Sequence, residues 1–372
     1  MLKMRLGLIN YSSITERSFN NMRYLSKIRA KARDYKLHEY CTKKDAIQLD
    51  GYDYPKLTSE ELQQCQRVWS SIDLQRRDTA WVSVYKKEHG FSPYMVGLYQ
   101  SCVLRAALNP KIQLHAFDNK AMSDIYFPDI QFAKTYVRRI SGVLYDLDMN
   151  CITLERAVGI LKDQGNYIIK PALDTMQGSG VKKVVLEDSG KDAEKTILES
   201  FHGQYGDFIA QEVIRQHPSI SSLNPTSVNC CRVTTIYIDG KFDYSTVLKV
   251  GKQGSYRDNW FTSYFVGVNK DGITEEIAYD NAINRIYNFD NGIRVGGIKL
   301  PRYDEMIDLV CHLHKRMFPN CGMIGWDVMV DVDNQIRFIE VNVTCPGFIA
   351  EQMCSGTFFE PFADLINYRL KK

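Results

Sequence analysis

Residues 325–342 constrain the fold more than any other stretch of the chain. They read Gly-Trp-Asp-Val-Met-Val, then Asp-Val-Asp-Asn-Gln, then Ile-Arg-Phe-Ile-Glu-Val-Asn, which is two strand-like runs around a polar centre. A two-residue turn at 333–334 would pair residue 330 with residue 337 and Asp327 with Glu340. The sequence therefore predicts a β-hairpin in which two carboxylates face each other across the strands.

These facing carboxylates predict a metal site. Asn342 lies two residues beyond Glu340 and therefore shares its face of the strand. Two carboxylates at cross-strand distance repel unless a positive charge lies between them, and the added amide oxygen suits a hard cation such as Mg²⁺. The alternative is that the acids lie on a solvated outer face. Met329, Ile336 and Phe338 are predicted on the same face, which favours a buried metal site.

The composition is that of an ordinary globular protein. The chain has 372 residues, which is long enough for two or three domains. Of these residues, 44% are hydrophobic and 24% are charged, as in soluble globular proteins. A formal net charge of +3 gives no reason to expect nucleic acid as a partner. No run approaches the roughly 20 apolar residues that cross a bilayer, so we expect no transmembrane segment. The oligomeric state stays unknown from sequence.

The cysteines and the N-terminus favour a reducing compartment. The ten cysteines are scattered and form no CxxC pair. No continuous apolar signal segment follows the first three residues. We therefore predict a cytoplasmic protein.

The chain divides into three regions that differ in predicted secondary structure. Residues 1–112 are mainly helical, residues 113–211 mix strands and helices, and residues 212–372 alternate hairpins with helices, so we predict an α+β fold. The clearest local signals are a capped helix start at 57–62, strands at 167–170 and 181–185, hairpins about Asp239-Gly240 and Asp271-Gly272, and a helix over 304–317.

The loop between the strands at 167–170 and 181–185 has a composition that suits a phosphate. Lys170 ends the first strand, and the loop then carries Gln177, Gly178, Ser179 and Gly180. Glycines let backbone N–H groups approach a ligand closely, and the lysine adds a fixed positive charge. The loop is neither a P-loop nor a Rossmann fingerprint. Taken alone, a glycine hairpin next to a lysine is more often just an ordinary turn.

Five groups of residues appear along the chain in a particular order. They are Asn119-Lys120, Lys170-Pro171 with Gly178-Ser179-Gly180, Gln211-Glu212-Val213-Ile214, Ser227-Val228-Asn229 with Arg232, and Asp327 with Glu340-Val341-Asn342. This ordered set resembles the ATP-grasp superfamily. Within it, the closest resemblance is to the sugar-transfer-associated group found with bacterial surface-polysaccharide genes. It covers about residues 115–360 and implies an ATP-grasp fold, in which 113–211 and 212–372 are two α+β subdomains that grip ATP.

The resemblance also implies nucleotide-binding roles. Lys120 and Lys170 would hold the phosphates of ATP together with the glycine loop. The segment formed by Gln211, Glu212, Val213 and Ile214 would present its backbone to adenine. Glu212 would read the amino edge of that base.

The remaining roles concern the reacting groups. By resemblance, Arg232 would stabilise the transferring phosphoryl group, with Asn229 nearby. Asp327, Glu340 and Asn342 would hold one or two Mg²⁺ ions that bridge the β- and γ-phosphates. Without the family context, Arg232 reads as a surface strand residue that pairs with an acid.

The implied activity is an ATP-dependent ligase. A carboxylate is activated as an acyl phosphate and is then attacked by an amine, with an amino acid and a sugar or glycan as the expected substrates. The absence of a convincing Ser/His/Asp or Cys/His arrangement fits a reaction that needs no protein nucleophile. The alternatives are a small-molecule phosphotransferase and, least favoured, a non-catalytic nucleotide-binding module.

Two loops leave alternatives open. Residues 254–263 carry aromatic residues where the family commonly has glycines, so Trp260 or Phe261 could stack on a bound ring or belong to the core. Residues 344–352 follow the metal strand and could contact the acceptor, with Gln352 as the leading polar candidate. They could equally be a connection into a C-terminal helix.

Overall fold

The computed structural model is an α+β protein built on two antiparallel sheets, and the predicted fold class is confirmed. It describes residues 34–109, 114–173, 180–186, 192–204, 206–256, 259–344 and 346–371. The predicted phosphate-loop residues Gln177, Gly178 and Ser179 lie outside the described residues.

Helices precede the first sheet, as predicted. At the capped helix start, the hydroxyl of Thr58 accepts from the backbone N–H of Glu61 at 3.2 Å, and the Glu61 carboxylate accepts from the N–H of Thr58 at 2.7 Å. The predicted capping box is therefore confirmed. The helices of this region are α1 (residues 34–48), α2 (Ser59–Val68), α3 (Ala80–His89), α4 (Leu98–Leu108) and the short α5 (Ser123–Tyr126).

The first sheet has five strands in the order β2-β1-β5-β3-β4. The predicted strand pair at 167–170 and 181–185 is present as an antiparallel β3–β4 pair. Two amphipathic helices pack on this sheet and bury residues such as Leu161, Ile197 and Phe201 against Tyr167. The elements are β1 (Thr135–Ile140), β2 (Val143–Tyr145), α6 (Leu154–Gln164), β3 (Asn166–Pro171), β4 (Lys182–Val185), α7 (Ala193–His202) and β5 (Phe208–Gln211).

The second sheet has seven strands in the order β10-β9-β8-β7-β6-β11-β12. Asp239 and Gly240 both have positive φ, at 49° and 83°, as a two-residue hairpin turn requires, and the predicted hairpin about them is β6–β7. The elements are α8 (Pro218–Ser221), β6 (Cys230–Ile238), β7 (Lys241–Gly251), β8 (Ser263–Val268), β9 (Thr274–Tyr279), β10 (Arg285–Ile286), α9 (Tyr303–Met317), β11 (Met323–Val330), β12 (Ile336–Asn342), α10 (Ile349–Ser355) and α11 (Ala363–Lys371).

The N-terminal helices pack against the C-terminal end of the chain. Ser71 donates from its backbone N–H to the side chain of Asn367 and from its hydroxyl to the Asn367 carbonyl, both at 3.0 Å. The buried ring of Trp69 meets Phe359 edge-on at 6.2 Å between centroids. These contacts join the helical region to the layer beside the seven-stranded sheet. The domain boundaries at 112 and 211 stay predictions. In the described chain no helix is both long and apolar enough to cross a bilayer.

The hairpin at 325–342 forms with a register that differs in part from the prediction. Asp327 pairs with Glu340 as predicted, but Val330 pairs with Ile336 and not with residue 337. The turn is longer than two residues, because the N–H of Asp331 already donates to the carbonyl of Gln335 at 2.9 Å. A register shift next to Asp327 compensates for the longer turn. The two-residue turn was therefore wrong, and a bulge restores the facing carboxylates.

Candidate functional site

Strand alternation gives the seven-stranded sheet one charged face and one apolar face. Arg232 on β6 pairs directly with Asp327 on β11, and Asp327 pairs with Glu340 on β12, so these three side chains share a face. The next residues along β6 and β11, Val233 and Trp326, lie on the opposite face in the main core with α9. The charged face is the candidate functional site.

Asp327 is the centre of the charged face. Its carboxylate accepts two hydrogen bonds from Arg232, from Nε at 2.7 Å and from a terminal nitrogen at 2.8 Å. Lys249 Nζ lies 3.0 Å from Oδ1 of the same carboxylate. Asp327 is 4% exposed. This nearly buried carboxylate is thus paired with two cations, which offset the cost of removing its charge from water.

The charges set the protonation state of this cluster. Burial acts to raise the pKa of Asp327, but the charges of Arg232 and Lys249 outweigh it and hold that pKa below its usual range. Burial acts to lower the pKa of Arg232, and Asp327 outweighs it and raises that pKa. Both groups are therefore ionised across the physiological range.

Lys120 reaches the site from outside the large sheet. It opens a short 3₁₀ turn capped by Asn119, whose side chain accepts from the N–H of Ala121 at 3.0 Å. The Lys120 ammonium lies 3.1 Å from Glu340 Oε1. The structure therefore brings Lys120, which the sequence analysis assigned to phosphate binding, to the predicted metal carboxylate.

Lys170 and Gly180 are the predicted phosphate-loop residues that the structure describes. Lys170 lies near the end of β3, and the N–H of Lys120 donates to the carbonyl of Ala172 at 2.9 Å, which places the two lysine-bearing segments side by side. Gly180 has φ +77°, and a Cβ there would lie 2.6 Å from Pro171 Cγ. Only glycine fits both conditions, so this end of the loop is tightly folded against β3.

The segment predicted to bind adenine connects the two sheets. Gln211 ends β5, and its side chain donates to the carbonyl of Ala133 and to the hydroxyl of Thr135, both at 3.0 Å. Val213 and Ile214 follow outside any strand and are half-buried. The Gln211 side chain therefore has a structural role, while the backbone beyond it runs between the sheets.

The carboxylate of Glu212 is already engaged. It accepts from the backbone N–H of Lys134 at 2.8 Å and forms an ion pair with Arg337. Arg337 also lies 3.1 Å from Asp331, and it borders an open depression of about 360 Å³ lined by residues 130–135. The structure thus places Glu212 in a link between the sheets, and the predicted contact with adenine stays a prediction.

Asn229 is buried, and its side-chain amide forms hydrogen bonds with backbone groups. It is 1% exposed, its Nδ2 donates to the carbonyls of Ile220 and Asn224 at 3.0 Å, and its Oδ1 accepts from the N–H of Gly251 at 3.2 Å. In this structure the side chain fixes the loop that leads into β6. It orders the approach to Arg232 without facing the charged cluster.

Asn342 lies beside the two carboxylates. Its Nδ2 is 3.5 Å from Asp327 Oδ2 and 3.4 Å from the carbonyl of Gly325. Asp327, Glu340 and Asn342 are therefore within one small region of the sheet, as the hairpin pattern predicted. Two carboxylates and an amide are the oxygen donors that Mg²⁺ takes, so the donor set fits this ion.

Sequence reasoning missed two charged residues of this site. Lys249 lies in the run Val-Leu-Lys-Val-Gly of β7, where a lysine within an apolar strand was the available signal. Glu351, in α10, is 3% exposed and accepts from the hydroxyl of Thr234 at 2.9 Å on the same face as Arg232. Burial raises the pKa of Glu351, against the opposing charge of Arg232. Glu351 directly precedes Gln352 in the sequence, but no residue pattern distinguishes it there.

The two open loops have different outcomes. The expectation that Gln352 contacts an acceptor was wrong, because it is fully buried and its side chain bonds to the N–H and carbonyl of Val96, both at 3.0 Å. Trp260 packs against Trp81 and Phe265, at 6.2 and 5.1 Å between ring centroids, so it belongs to the core. Phe261 is 57% exposed.

Two antiparallel sheets, with a cation-rich carboxylate cluster to which both contribute neighbouring segments, fit an ATP-grasp fold. A sequence model of the family described as sugar-transfer associated ATP-grasp matches residues 100–365. Because this match spans well over half of the 372 residues, the chain belongs to the sugar-transfer associated ATP-grasp family.

Solved structures of ATP-grasp enzymes resemble the chain at low identity. D-cycloserine synthetase DcsG is 12% identical with a TM-score of 0.43, over 83% of this chain and 93% of that one. D-alanyl-alanine synthetase A from Vibrio cholerae is 13% identical with a TM-score of 0.42, over 70% and 66%. The ATP-grasp ligase PsnB, complexed with minimal precursor, Mg and ADP, is 12% identical with a TM-score of 0.39, over 70% and 61%.

The chain thus spans less than two thirds of the length of D-alanyl-alanine synthetase A and of PsnB. No curated protein sequence matches the chain.

Proposed function

We propose that the protein is an ATP- and Mg²⁺-dependent ligase that joins a carboxylate to an amine, with one of the two groups on a sugar or glycan. One observation carries this proposal. Lys120 lies 3.1 Å from Glu340, and Arg232 and Lys249 both contact Asp327, so three cations lie beside this pair of carboxylates. Cations placed beside paired carboxylates suit a polyphosphate that arrives with a divalent cation.

Lys120 and Lys170 are the proposed phosphate ligands. Both come from segments that adjoin the end of β3, where the N–H of Lys120 meets the carbonyl of Ala172. When a triphosphate is bound, the Lys120 ammonium would exchange Glu340 for a phosphate oxygen. That exchange leaves the Glu340 carboxylate available to a cation.

The residues proposed to hold Mg²⁺ are Asp327, Glu340 and Asn342. When bound, this ion neutralises negative charge on the β- and γ-phosphates. The protein supplies the oxygen donors on two adjacent strands, which fixes their separation without a mobile loop. Asn229 contributes by holding the loop before β6 through its three backbone contacts.

Arg232 and Lys249 are the proposed stabilisers of the transferring phosphoryl group. Two hydrogen bonds to Asp327 fix the plane of the Arg232 guanidinium. Lys249 lies on the neighbouring strand, and both cations are more than four-fifths buried. Cations fixed in advance in a poorly hydrated site stabilise developing negative charge at little reorganisation cost.

The reaction proceeds in two steps that need no covalent bond to the protein. A carboxylate oxygen of the substrate attacks the γ-phosphorus, the bond to the β-γ bridging oxygen breaks, and ADP leaves. An amine then attacks the carbonyl carbon of the acyl phosphate, an amide bond forms, and phosphate leaves while the nitrogen loses a proton. Adjacent binding of the reactants supplies most of the rate increase.

The sugar or glycan substrate and a role in polysaccharide biosynthesis rest on the family, whose description is sugar-transfer associated. A cytoplasmic location is supported by nine free cysteines among the described residues, since reduced thiols persist in that compartment.

The test is release of ADP and phosphate from Mg-ATP while amino acids are screened against acidic and amino sugars, with hydroxylamine present to trap an acyl phosphate. We expect a hydroxamate that depends on one carboxylate. Lys120→Met should abolish it, whereas Lys162→Met, at an exposed lysine of α6, should not.

A stable phosphorylated product without hydroxamate would establish a phosphotransferase in place of a ligase. ATP binding without any turnover across the screen would favour a non-catalytic module. Equal activity of Lys120→Met and the native protein would overturn the proposed phosphate site.

A further inference from the structure

A second cluster of cation-binding side chains lies in the N-terminal helical region, apart from the nucleotide site. Asp34 and His38 are four residues apart on α1 and therefore share a face of the helix. Asp73 lies in the segment that follows α2. One ligand atom from each of these three residues lies within 4.8 Å of the other two.

His38 offers an unpartnered nitrogen to this cluster. The side chain is 1% exposed, and its Nδ1 lies 2.8 Å from the buried carboxylate of Asp78. The other oxygen of that carboxylate accepts from the backbone N–H of Gln75 at 2.8 Å. Because an ionised carboxylate can only accept, it assigns an imidazole proton to Nδ1. The lone pair then lies on Nε2. That atom is buried, has no hydrogen-bond partner, and lies 3.8 Å from Asp34 Oδ2.

The surroundings hold two of the three side chains in place. Tyr99 stacks on the His38 ring, with 3.6 Å between centroids and 17° between planes. Its hydroxyl donates to Asp34 Oδ1 at 2.8 Å. A carboxylate behind the histidine and a hydroxyl behind the aspartate are the outer contacts that orient ligands in protein metal sites. A neutral imidazole nitrogen close to two carboxylates is unfavourable when nothing positive lies between them.

We propose that Asp34, His38 and Asp73 bind one first-row divalent cation of the Zn²⁺ class. One imidazole nitrogen with two carboxylates is a donor set that such ions accept, and water completes the coordination. Asp73 is exposed, so its side chain can close on the ion by rotation. The bound cation ties α1 to the segment after α2. The site is independent of the proposed ligase activity.

The test is a titration of metal-free, full-length protein with Zn²⁺ or Co²⁺ alone, read by calorimetry and by Tm. We expect one saturable equivalent and a rise in Tm of about 5 °C at a hundredfold excess over Kd. Asp73→Asn should weaken binding at least about tenfold. Asp50→Asn, at another exposed acid of the same region, should bind like the native protein.

Two further measurements distinguish binding at this site from metal binding elsewhere in the protein. Repeating the titration on Glu340→Gln removes the contribution of the nucleotide site, and the proposed signal should persist. With Co²⁺, the near-ultraviolet spectrum should lack thiolate charge-transfer bands, because the site has no sulfur ligand. Absence of saturable binding, equal binding by Asp73→Asn, or a thiolate spectrum would overturn the proposal.

Discussion

The two faces of strands β6 and β11 are made of alternating neighbouring residues, yet one face is charged and the other is apolar. On one face, Arg232 and Asp327 form a bidentate ion pair with Lys249 beside it. On the other, Val233 and Trp326 pack with α9 in the main core. The difference teaches that strand alternation lets a rigid apolar layer hold charged groups at fixed positions. The following changes break or sharpen this contrast.

The largest expected effect is on the charged face. Glu340→Gln should lower ATP-dependent turnover by about 1000-fold, because a proposed ion ligand loses its charge. The Glu340 side chain is 33% exposed, so Tm should change by less than about 2 °C. Steady-state kinetics and thermal unfolding check this. Glu275→Gln, at an exposed acid of β9, is the matched control, and equal losses in both variants would contradict the prediction.

The apolar face should affect how the free energy of unfolding depends on pH, through a buried histidine. His314 in α9 bonds to the hydroxyl of Thr235 at 2.7 Å and to the carbonyl of Cys321 at 2.8 Å, and burial lowers the pKa of this imidazole to about 4. A lowered folded-state pKa means that stability is present above about pH 6.5 and is lost as pH falls to about 4. We expect the native protein to lose about 3 kcal/mol of unfolding free energy more than His314→Gln across this range.

Urea unfolding of both proteins between pH 4 and pH 7 measures this difference. Burial raises the pKa of Asp45 to about 7, which acts in the opposite direction. Asp45 is present in both proteins, so its contribution cancels in the comparison. Parallel pH profiles would contradict the assignment of a buried neutral His314.

Lys249 tests whether the charged face needs a cation that the sequence did not reveal. Lys249→Met keeps the length and removes the charge, and kcat/KM should fall about 30-fold, or about 2 kcal/mol in barrier. Asp327 keeps Arg232, so the protein should stay folded. Lys270→Met, at a lysine whose side chain is 62% exposed, is the control in the same kinetic assay. Unchanged kcat/KM in the Lys249 variant would remove Lys249 from the mechanism.

The smallest expected effect is at Glu351. Glu351→Gln keeps the acceptor for Thr234 and should change kcat by only about threefold, because Arg232 retains Asp327. Burial raises the pKa of Glu351, so the stability linked to its protonated form is lost as pH rises through that pKa. The variant should therefore match the native Tm at pH 4 and exceed it at pH 8. A lower Tm at pH 8 would show that the Glu351 charge is stabilising.

Local signals predicted much of the fold. The Asp-Gly pairs at 239–240 and 271–272 lie in the turns of β6–β7 and β8–β9, because few residues accept positive φ. The Thr58 capping box and the helix near 304–317 were also predicted, since each depends on residues within one or two turns. The hairpin at 325–342 was predicted with the wrong turn, because a bulge depends on neighbouring strands and leaves no mark in an alternating pattern.

Long-range partners were harder to predict. Gln352 is an acceptor candidate by position in the sequence, but it bonds to Val96, which lies 256 residues away. Asn229 likewise serves the backbone of its own loop. A polar side chain can satisfy a substrate or a buried backbone group equally well, and only packing decides between them.

The sequence by itself determined the α+β class and the order of the family motifs, because these depend on short-range periodicity and composition. It also predicted Asp327 opposite Glu340, but that pairing depends on a bulge that the sequence pattern did not reveal. Only the tertiary structure decided that Lys120 reaches Glu340, that Lys249 joins Asp327, and that His38 lies close to Asp34 and Asp73. The reason is physical: charges pair across distances of a few ångströms in space, whatever their separation along the chain.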